Sequence, residues 1–394
     1  MSLLRQGDKL AIVGDSITEQ LRYSRLVETY LHACAPELGI EVRQSGWSGE
    51  TTGACLLRFD ADVLAYKPSF VVTNYGMNDF SYEKFDDAKA EAYRVDSLEL
   101  IRRVKAAGAR HLLASPTNIS LTPAWCERPI AVKELNRSLG RLRDLGRALA
   151  QDAGLPFCDM LEPMLAADRQ ARARYGPGFN IAGEDGVHPD WAGHMVMATT
   201  ELCALGFDGD LGTLVLDAGT GKALALGGGH QVLSSEYGRL QVLSERYPFC
   251  MSPGDPALSS TLAAGAALSG FFQRLNRLIF RVEGAEPGPW RLHWGGQHLV
   301  LAGTELAQGV NLAELFAAAN PFSAAFARID EAVARKQAFE NYELHEVFHG
   351  PAGEGVSDPA RRAHAEGQRQ ILVEGVVAAR QSVRHELRLE KMPG

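Results

Sequence analysis

Five short apolar runs, KLAIV (9–13), IEVRQ (40–44), SFVVTN (69–74), RHLLAS (110–115) and LPFCDM (155–160), alternate with longer stretches of helical periodicity. This alternation restricts the fold more than any other feature. A strand that is followed by a helix and a second strand returns to the same sheet by a crossover. A succession of such units builds a parallel sheet covered on both faces. In ITEQLRYSRLVETYLHACA, Leu21, Leu26, Tyr30 and Leu31 share roughly one helical face. DSLELIRRVKAAGA ends in Lys105 and Gly108, and KELNRSLGRLRDLGRALAQDAG closes on glycine, both signals of a helix end. The expectation is one doubly wound α/β domain over residues 1–205, ending in the helix after His188.

The texture changes near Gly206. GTLVLDAGTGKALALGGGHQVLS and YGRLQVLSERY set glycine-rich turns between alternating segments, and NRLIFRVEG alternates Leu278, Phe280 and Val282 with polar residues. In RLHWGGQHLVL, Gly295 and Gly296 occupy the two-residue position of a tight hairpin. Residues 206–302 read as a small antiparallel β-rich module. Residues 303–394 read as a helical C-terminal region, interrupted by GPAGEGVSDP and ending in the short tail HELRLE.

Bulk composition narrows the function. With 394 residues, 46% of them hydrophobic, the chain can bury sizeable cores. A formal net charge of −8 gives no electrostatic reason to expect nucleic acid or an anionic membrane as partner. No apolar run approaches a membrane span, so no membrane insertion is expected. The start MSLLRQGDKLAIVGD runs into a strand without the apolar stretch and small-residue cleavage site of a secretory signal. A cytoplasmic location is expected on that ground, or a secreted one if a leader has been removed. The six cysteines form no C-x-x-C pair and read as buried free thiols rather than metal ligands or a disulfide framework.

Ligands of an open parallel sheet gather beyond the carboxyl ends of its strands. Gly14-Asp15-Ser16 follows the first run, SGWSGETT (45–52) the second and Tyr75-Gly76-Met77-Asn78-Asp79 the third, while EDGVHPDWAGH (184–194) lies past the last. Singly, each has an ordinary explanation, and Ser16 could simply cap a helix beginning near Ile17. Together they supply the parts for acyl transfer. A serine at a helix N-terminus can be a nucleophile whose own N–H meets an oxyanion. Gly49 can offer a second N–H and the Asn78 amide a third donor. Asp185-x-x-His188 puts a carboxylate and an imidazole on one loop, where the carboxylate can fix the ring tautomer.

In this order, GDSIT, SGETT, GMND and DGVHPD resemble the four sequence blocks of the SGNH (GDSL-type) esterase and lipase superfamily, over about residues 8 to 205. GWSGE around Ser48 departs from the G-x-S-x-G elbow, which argues against the α/β-hydrolase fold. The resemblance implies a three-layer α/β/α sandwich of flavodoxin-like character. It implies a triad of Ser16, Asp185 and His188, an oxyanion hole of Ser16, Gly49 and Asn78, and no need for a metal or organic cofactor. The substrate expected is a small-molecule or glycan ester, with a short acyl chain such as the O-acetyl group of a sugar. The alternatives are a lysophospholipase or thioesterase of the same fold, or a non-catalytic glycan-binding protein on an esterase scaffold.

Neighbouring residues divide between support and binding. Asp15 is expected to shape its loop by accepting backbone hydrogen bonds, Thr18 and Glu19 to fill a first helical turn, Asp79 to orient the Asn78 loop, and His194 to be a satisfied helix residue. Trp47, Tyr75 and Met77 flank the loops and are candidates for the substrate pocket wall. Trp290 and Trp294 fit a β-sandwich core better than a sugar platform. The sequence does not set the oligomeric state.

Overall fold

The structure, a computed structural model, describes residues 2–126, 130–236, 238–350 and 358–393. Most of the GPAGEGVSDP break, residues 351–357, lies outside the described residues.

Five strands, β1 (Lys9–Gly14), β2 (Glu41–Gly46), β3 (Phe70–Asn74), β4 (Arg110–Ala114) and β5 (Phe157–Cys158), form a parallel sheet in the order β2-β1-β3-β4-β5. This is the expected flavodoxin-like α/β/α arrangement. Because β1 is buried on both faces, its residues alternate between two cores. Leu10 and Ile12 point into the larger core with Leu26, Val27 and Tyr30 of the helix Tyr23–Cys34. Ala11 and Val13 point into a second with Phe59, Leu100 and Val104, the last two from the helix Asp87–Ala106. The fifth run is shorter than its sequence suggested, with only two residues paired to β4. The expected continuous helix from Ile17 is split instead. Leu21 takes a left-handed backbone (φ 56°) and separates the helix Ser16–Glu19 from Tyr23–Cys34.

The register brings the carboxyl ends into line: Gly14 of β1 pairs with Gly46 of β2 on one side and Asn74 of β3 on the other. The chain steps from β1 to β2 on one side and then crosses back over β1 to β3 on the other, so this is the switch point where such sheets bind ligands. Helix Ser16–Glu19 lies directly on this edge. A Cβ on Gly14 would come within 2.2 Å of Thr18 Oγ1, and one on Gly46 within 2.2 Å of the Glu19 nitrogen. Glycine at both positions is therefore required for the helix to sit this close.

Beyond Ala204 the chain forms two further sheets. One has the order β13-β10-β6-β7, from β6 (Asp210–Asp217), β7 (Ala223–Leu226), β10 (Arg277–Glu283) and β13 (Val310–Asn311). The other has the order β12-β11-β14-β9-β8, from β8 (His230–Glu236), β9 (Arg239–Ser244), β11 (Pro289–Trp294), β12 (Gln297–Ala302) and β14 (Val383–Lys391). Two expectations change here. The β-rich part is not wholly antiparallel, because β6 and β10 run parallel, with β7, β8, β9 and then the helices Leu262–Ser269 and Phe271–Leu275 between them in the chain. The HELRLE tail is no loose end either: as β14 it lies between β11 and β9 at the centre of its sheet. Trp294 is buried against Phe316 and Phe322, while half-buried Trp290 donates Nε1–H to the Glu286 carbonyl. The same hydrophobic core runs from β1 through Leu214, Phe280 and Trp294.

Four of the six cysteines are buried and all six are free. Among the described residues no helix is long and apolar enough to cross a membrane.

One buried group carries a pH signature. Glu201, on the helix Trp191–Ala204, is fully buried, and neither of its carboxylate oxygens has a hydrogen-bond partner. Burial pushes its pKa up to about 8. The folded state therefore holds a proton that the unfolded state releases near pH 4.5, and wild-type stability falls as pH rises from there to about 8. Glu201→Met should gain stability over wild type across that window, at a limiting rate of about 1.4 kcal/mol per pH unit. Denaturation midpoints compared at pH 5 and pH 8 test this, and a constant difference between the two proteins would refute it.

Candidate active site

At the edge defined by Gly14, Asp15 is the N-cap of helix Ser16–Glu19, and its Oδ1 accepts the Ile17 N–H at 3.0 Å. The capping role considered for Ser16 thus belongs to Asp15. Ser16 occupies the first helical position, where an N–H has no intrahelical acceptor. Its hydroxyl is 2.7 Å from His188 Nε2, and His188 Nδ1 is 2.6 Å from Asp185 Oδ2. Asp185 Oδ1 accepts the N–H groups of Val187 (2.8 Å) and His188 (2.9 Å), so one carboxylate orients both the turn and the ring. Burial opposes the ionisation of Asp185, but these bonds from His188 and Val187 prevail and hold its carboxyl below the usual carboxylate value. A carboxylate on Nδ1 selects the tautomer with hydrogen there and leaves Nε2 free to accept from Ser16.

The second and third loops face the same edge. Gly49 has φ +71°, a left-handed conformation suited to glycine. Asn78 Nδ2 donates to the Glu50 carbonyl at 3.0 Å, which leaves its second amide hydrogen available. Asp79 links the loops: Oδ1 accepts from the Thr52 N–H (2.9 Å) and Oδ2 from the Gly76 N–H (3.0 Å). Burial raises the Asp79 carboxyl to about 6 and the Asp15 carboxyl to about 7. Below the Gly49 loop, the buried Arg58 guanidinium holds the Glu50 carboxylate through two 2.6 Å bonds and the Ser45 hydroxyl at 2.8 Å. His194 is satisfied by the segment that follows Ser16, Nδ1 accepting the Tyr23 N–H and Nε2 lying 2.9 Å from Gln20 Oε1.

The three pocket candidates need correcting. Tyr75 (3% exposed) points into the second core and donates its hydroxyl to Glu50 Oε2 at 2.5 Å. Met77 (1% exposed) belongs to the main core. Both follow a strand whose side chains are buried on both faces, so neither forms a wall. Trp47 is half-buried, but its ring is already occupied by His345, His349 and Arg58. Trp125 lies exposed beside the relay instead. It is 45% exposed, with its ring 6.0 Å from that of His188 and 5.5 Å from that of Tyr82, whose hydroxyl reaches Asn78 Oδ1 at 3.5 Å. The loop after β4 that carries Trp125 also braces the histidine turn, since the Ser120 N–H donates to the Gly186 carbonyl at 2.9 Å. It contains no motif, and its position beyond a strand end was the available signal.

Comparison with known proteins places this region in a family. Residues 12–196 match the GDSL-like Lipase/Acylhydrolase family. The chain is 28% identical over 219 residues to an acetylxylan esterase of Geobacillus stearothermophilus, spanning 51% of this chain and 95% of that protein. A crystal structure of that esterase matches with 25% identity and a TM-score of 0.43, over 52% of this chain and 96% of that one. Over the full length, a gut microbial diltiazem-metabolizing enzyme has the same fold, with a TM-score of 0.80, 98% of each chain covered and 21% identity. Across residues 12–196 the chain belongs to the GDSL-like (SGNH) lipase and acylhydrolase family, and it is a carboxylic ester hydrolase of that type.

Proposed function

We propose that the protein is a serine esterase that removes short acyl groups, acetyl foremost, from carbohydrate. The observation that carries this reading is the unbroken relay from Ser16 through His188 to Asp185, with bonds of 2.7 and 2.6 Å. His188 Nε2 takes the Ser16 proton as Oγ attacks the ester carbonyl carbon, and the ionised Asp185 stabilises the imidazolium. The oxyanion is met by the N–H groups of Ser16 and Gly49 and by the free amide hydrogen of Asn78. The tetrahedral adduct collapses, His188 returns the proton to the departing alcohol oxygen, and acyl-Ser16 remains. Water, deprotonated by His188, then attacks the acyl carbon and releases the carboxylic acid and free Ser16.

Two observations favour a short acyl group on a polar alcohol. The relay is open, with the side chains of His188 and Asp185 28% and 37% exposed, which suits a bulky alcohol approaching from solvent better than a long acyl chain needing a tunnel. The exposed Trp125 beside His188 offers an apolar face of the kind sugar rings stack on, and an acetylxylan esterase of Geobacillus stearothermophilus is among the sequence relatives.

The test compares hydrolysis of p-nitrophenyl acetate, p-nitrophenyl octanoate and acetylated xylooligosaccharide. We expect acetate to exceed octanoate at least about tenfold in kcat/KM, a difference of roughly 1.4 kcal/mol in the barrier, and the oligosaccharide to be deacetylated. Preference for octanoate would move the reading to lipid esters or thioesters. Oligosaccharide bound and released unchanged would favour the binding protein.

A further inference from the structure

The family match ends at residue 196, yet the C-terminal helices reach the ester site from outside it. The helix Ser323–Tyr342 continues without a break into the π-helical turn Glu343–Phe348. His345 of that turn lies over Trp47, with ring centroids 4.3 Å apart at 33°, and His349 meets the same indole edge-on at 4.9 Å. The Arg58 guanidinium also lies over the Trp47 ring, 5.5 Å from its centroid. His345 Nε2 is 3.3 Å from Glu19 Oε1, a close polar contact without the alignment of a hydrogen bond. His349 Nε2 is 2.5 Å from Oδ2 of the buried Asp62.

These contacts fall on two catalytic elements. Trp47 lies two residues before Gly49 in the same loop, and its own N–H donates to the Gly14 carbonyl at 2.9 Å. Glu19 lies three residues after Ser16, one turn along the same short helix. The inner side of the Gly49 loop is fixed by Arg58, Glu50 and Tyr75. On another side of the loop, Trp47 meets the π-helical turn and packs on the apolar cluster of Leu344, Val347 and Phe348.

We infer that His345 is a positioning residue for the ester reaction, contributed by the C-terminal region, which holds the Gly49 loop and the Ser16 helix in their reactive relation. This rests on the reading of Ser16 as nucleophile and Gly49 as oxyanion donor. An oxyanion donor acts only over a narrow range of distance, so releasing the loop costs transition-state stabilisation rather than substrate affinity.

The experiment uses the full chain and two readouts: kcat and KM for p-nitrophenyl acetate, and the rate at which a fluorophosphonate probe labels the active serine. The variants are His345→Ala, His345→Phe and Ser16→Ala, each with its thermal midpoint. For His345→Ala we expect kcat and labelling rate to fall at least about tenfold, with KM within about twofold of wild type. His345→Phe keeps the stacking on Trp47 and should recover much of the loss, and His345→Gln, which lacks a ring, stands in if the alanine variant does not fold. Equal kcat and labelling in wild type and both folded variants, with Ser16→Ala unlabelled, would overturn the positioning role and leave the esterase reading intact. A rise in KM with kcat unchanged would also overturn it, because His345 would then serve substrate binding. Wild type that is neither labelled nor active would overturn both.

Discussion

Ser16→Ala is expected to lower kcat/KM for p-nitrophenyl acetate by about 10⁴- to 10⁶-fold while leaving the denaturation midpoint almost unchanged. Both halves follow from which residue caps the helix. Asp15, not Ser16, accepts the Ile17 N–H, so removing the Ser16 hydroxyl breaks one contact, the 2.7 Å bond to His188 Nε2. Asp15→Ala should show the opposite pattern at the level of folding, with a loss of about 0.5–2 kcal/mol from the missing cap. Asn78→Ala should lie between, at about 10²- to 10³-fold in kcat, because one of three donors is lost while nucleophile and base remain. Steady-state kinetics with denaturant unfolding on the same preparations check the order. Activity retained by a folded Ser16→Ala protein would remove the serine mechanism.

The sheet and the relay were legible in the sequence because both depend on local pattern. Strand runs end where glycine and aspartate begin, and Asp185 lies within one turn of His188. What the sequence hid depends on contacts between distant segments. Nothing in ITEQLRYSR announces that Leu21 will reverse its backbone sign and split the helix. HELRLE has strand character, but its place between β11 and β9 is set by partners more than ninety residues away along the chain. Tyr75 and Met77 looked available because they border a catalytic loop, whereas the strand before them is buried on both faces and carries that burial past its end. Trp47 is marked by its place beside Gly49, whereas the C-terminal histidines that occupy its ring lie some three hundred residues away and carry no local signal.

The C-terminal helices also solve a problem that the parallel sheet creates. β2 is an edge strand, and its outer backbone groups would otherwise present a template for pairing. Lys336 reaches from the helix Ser323–Tyr342 to the Val42 carbonyl at 2.9 Å, and Arg369 reaches the same oxygen at 3.1 Å from the helix Pro359–Ala379. Arg43, on β2 itself, pairs outward with Glu343 and Glu366. The family domain and its extension therefore share a polar seam that neither completes alone.

Lys336 is the centre of that seam, and Lys336→Met should destabilise the protein by about 3–5 kcal/mol. The ammonium is only 1% exposed, 2.7 Å from Glu340 Oε1 and 3.2 Å from Glu28 Oε1, and both carboxylates are fully shielded from solvent. Burial favours the neutral acid at Glu340, but the attraction of Lys336, Arg369 and Arg43 outweighs it and holds the pKa below the ordinary value of 4.5. Methionine fills the volume but removes the charge, leaving Glu28 without its nearest cation and Glu340 dependent on Arg369, 2.8 Å away. Adding Glu28→Gln should restore part of the loss, since the uncompensated charge then goes with its partner. The pH dependence follows from the sign of the shift. A carboxylate with a depressed folded pKa contributes its stability above the unfolded value and loses it as pH falls through the folded one. The gap between wild type and Lys336→Met should therefore be full at pH 7 and narrow in acid, as pH falls from the ordinary value of 4.5 through the depressed value of Glu340 in the wild type. Urea unfolding at pH 7 and pH 4 measures it. A difference under about 1 kcal/mol at pH 7 would mean that the seam is solvated and the extension is held to β2 by apolar contact instead.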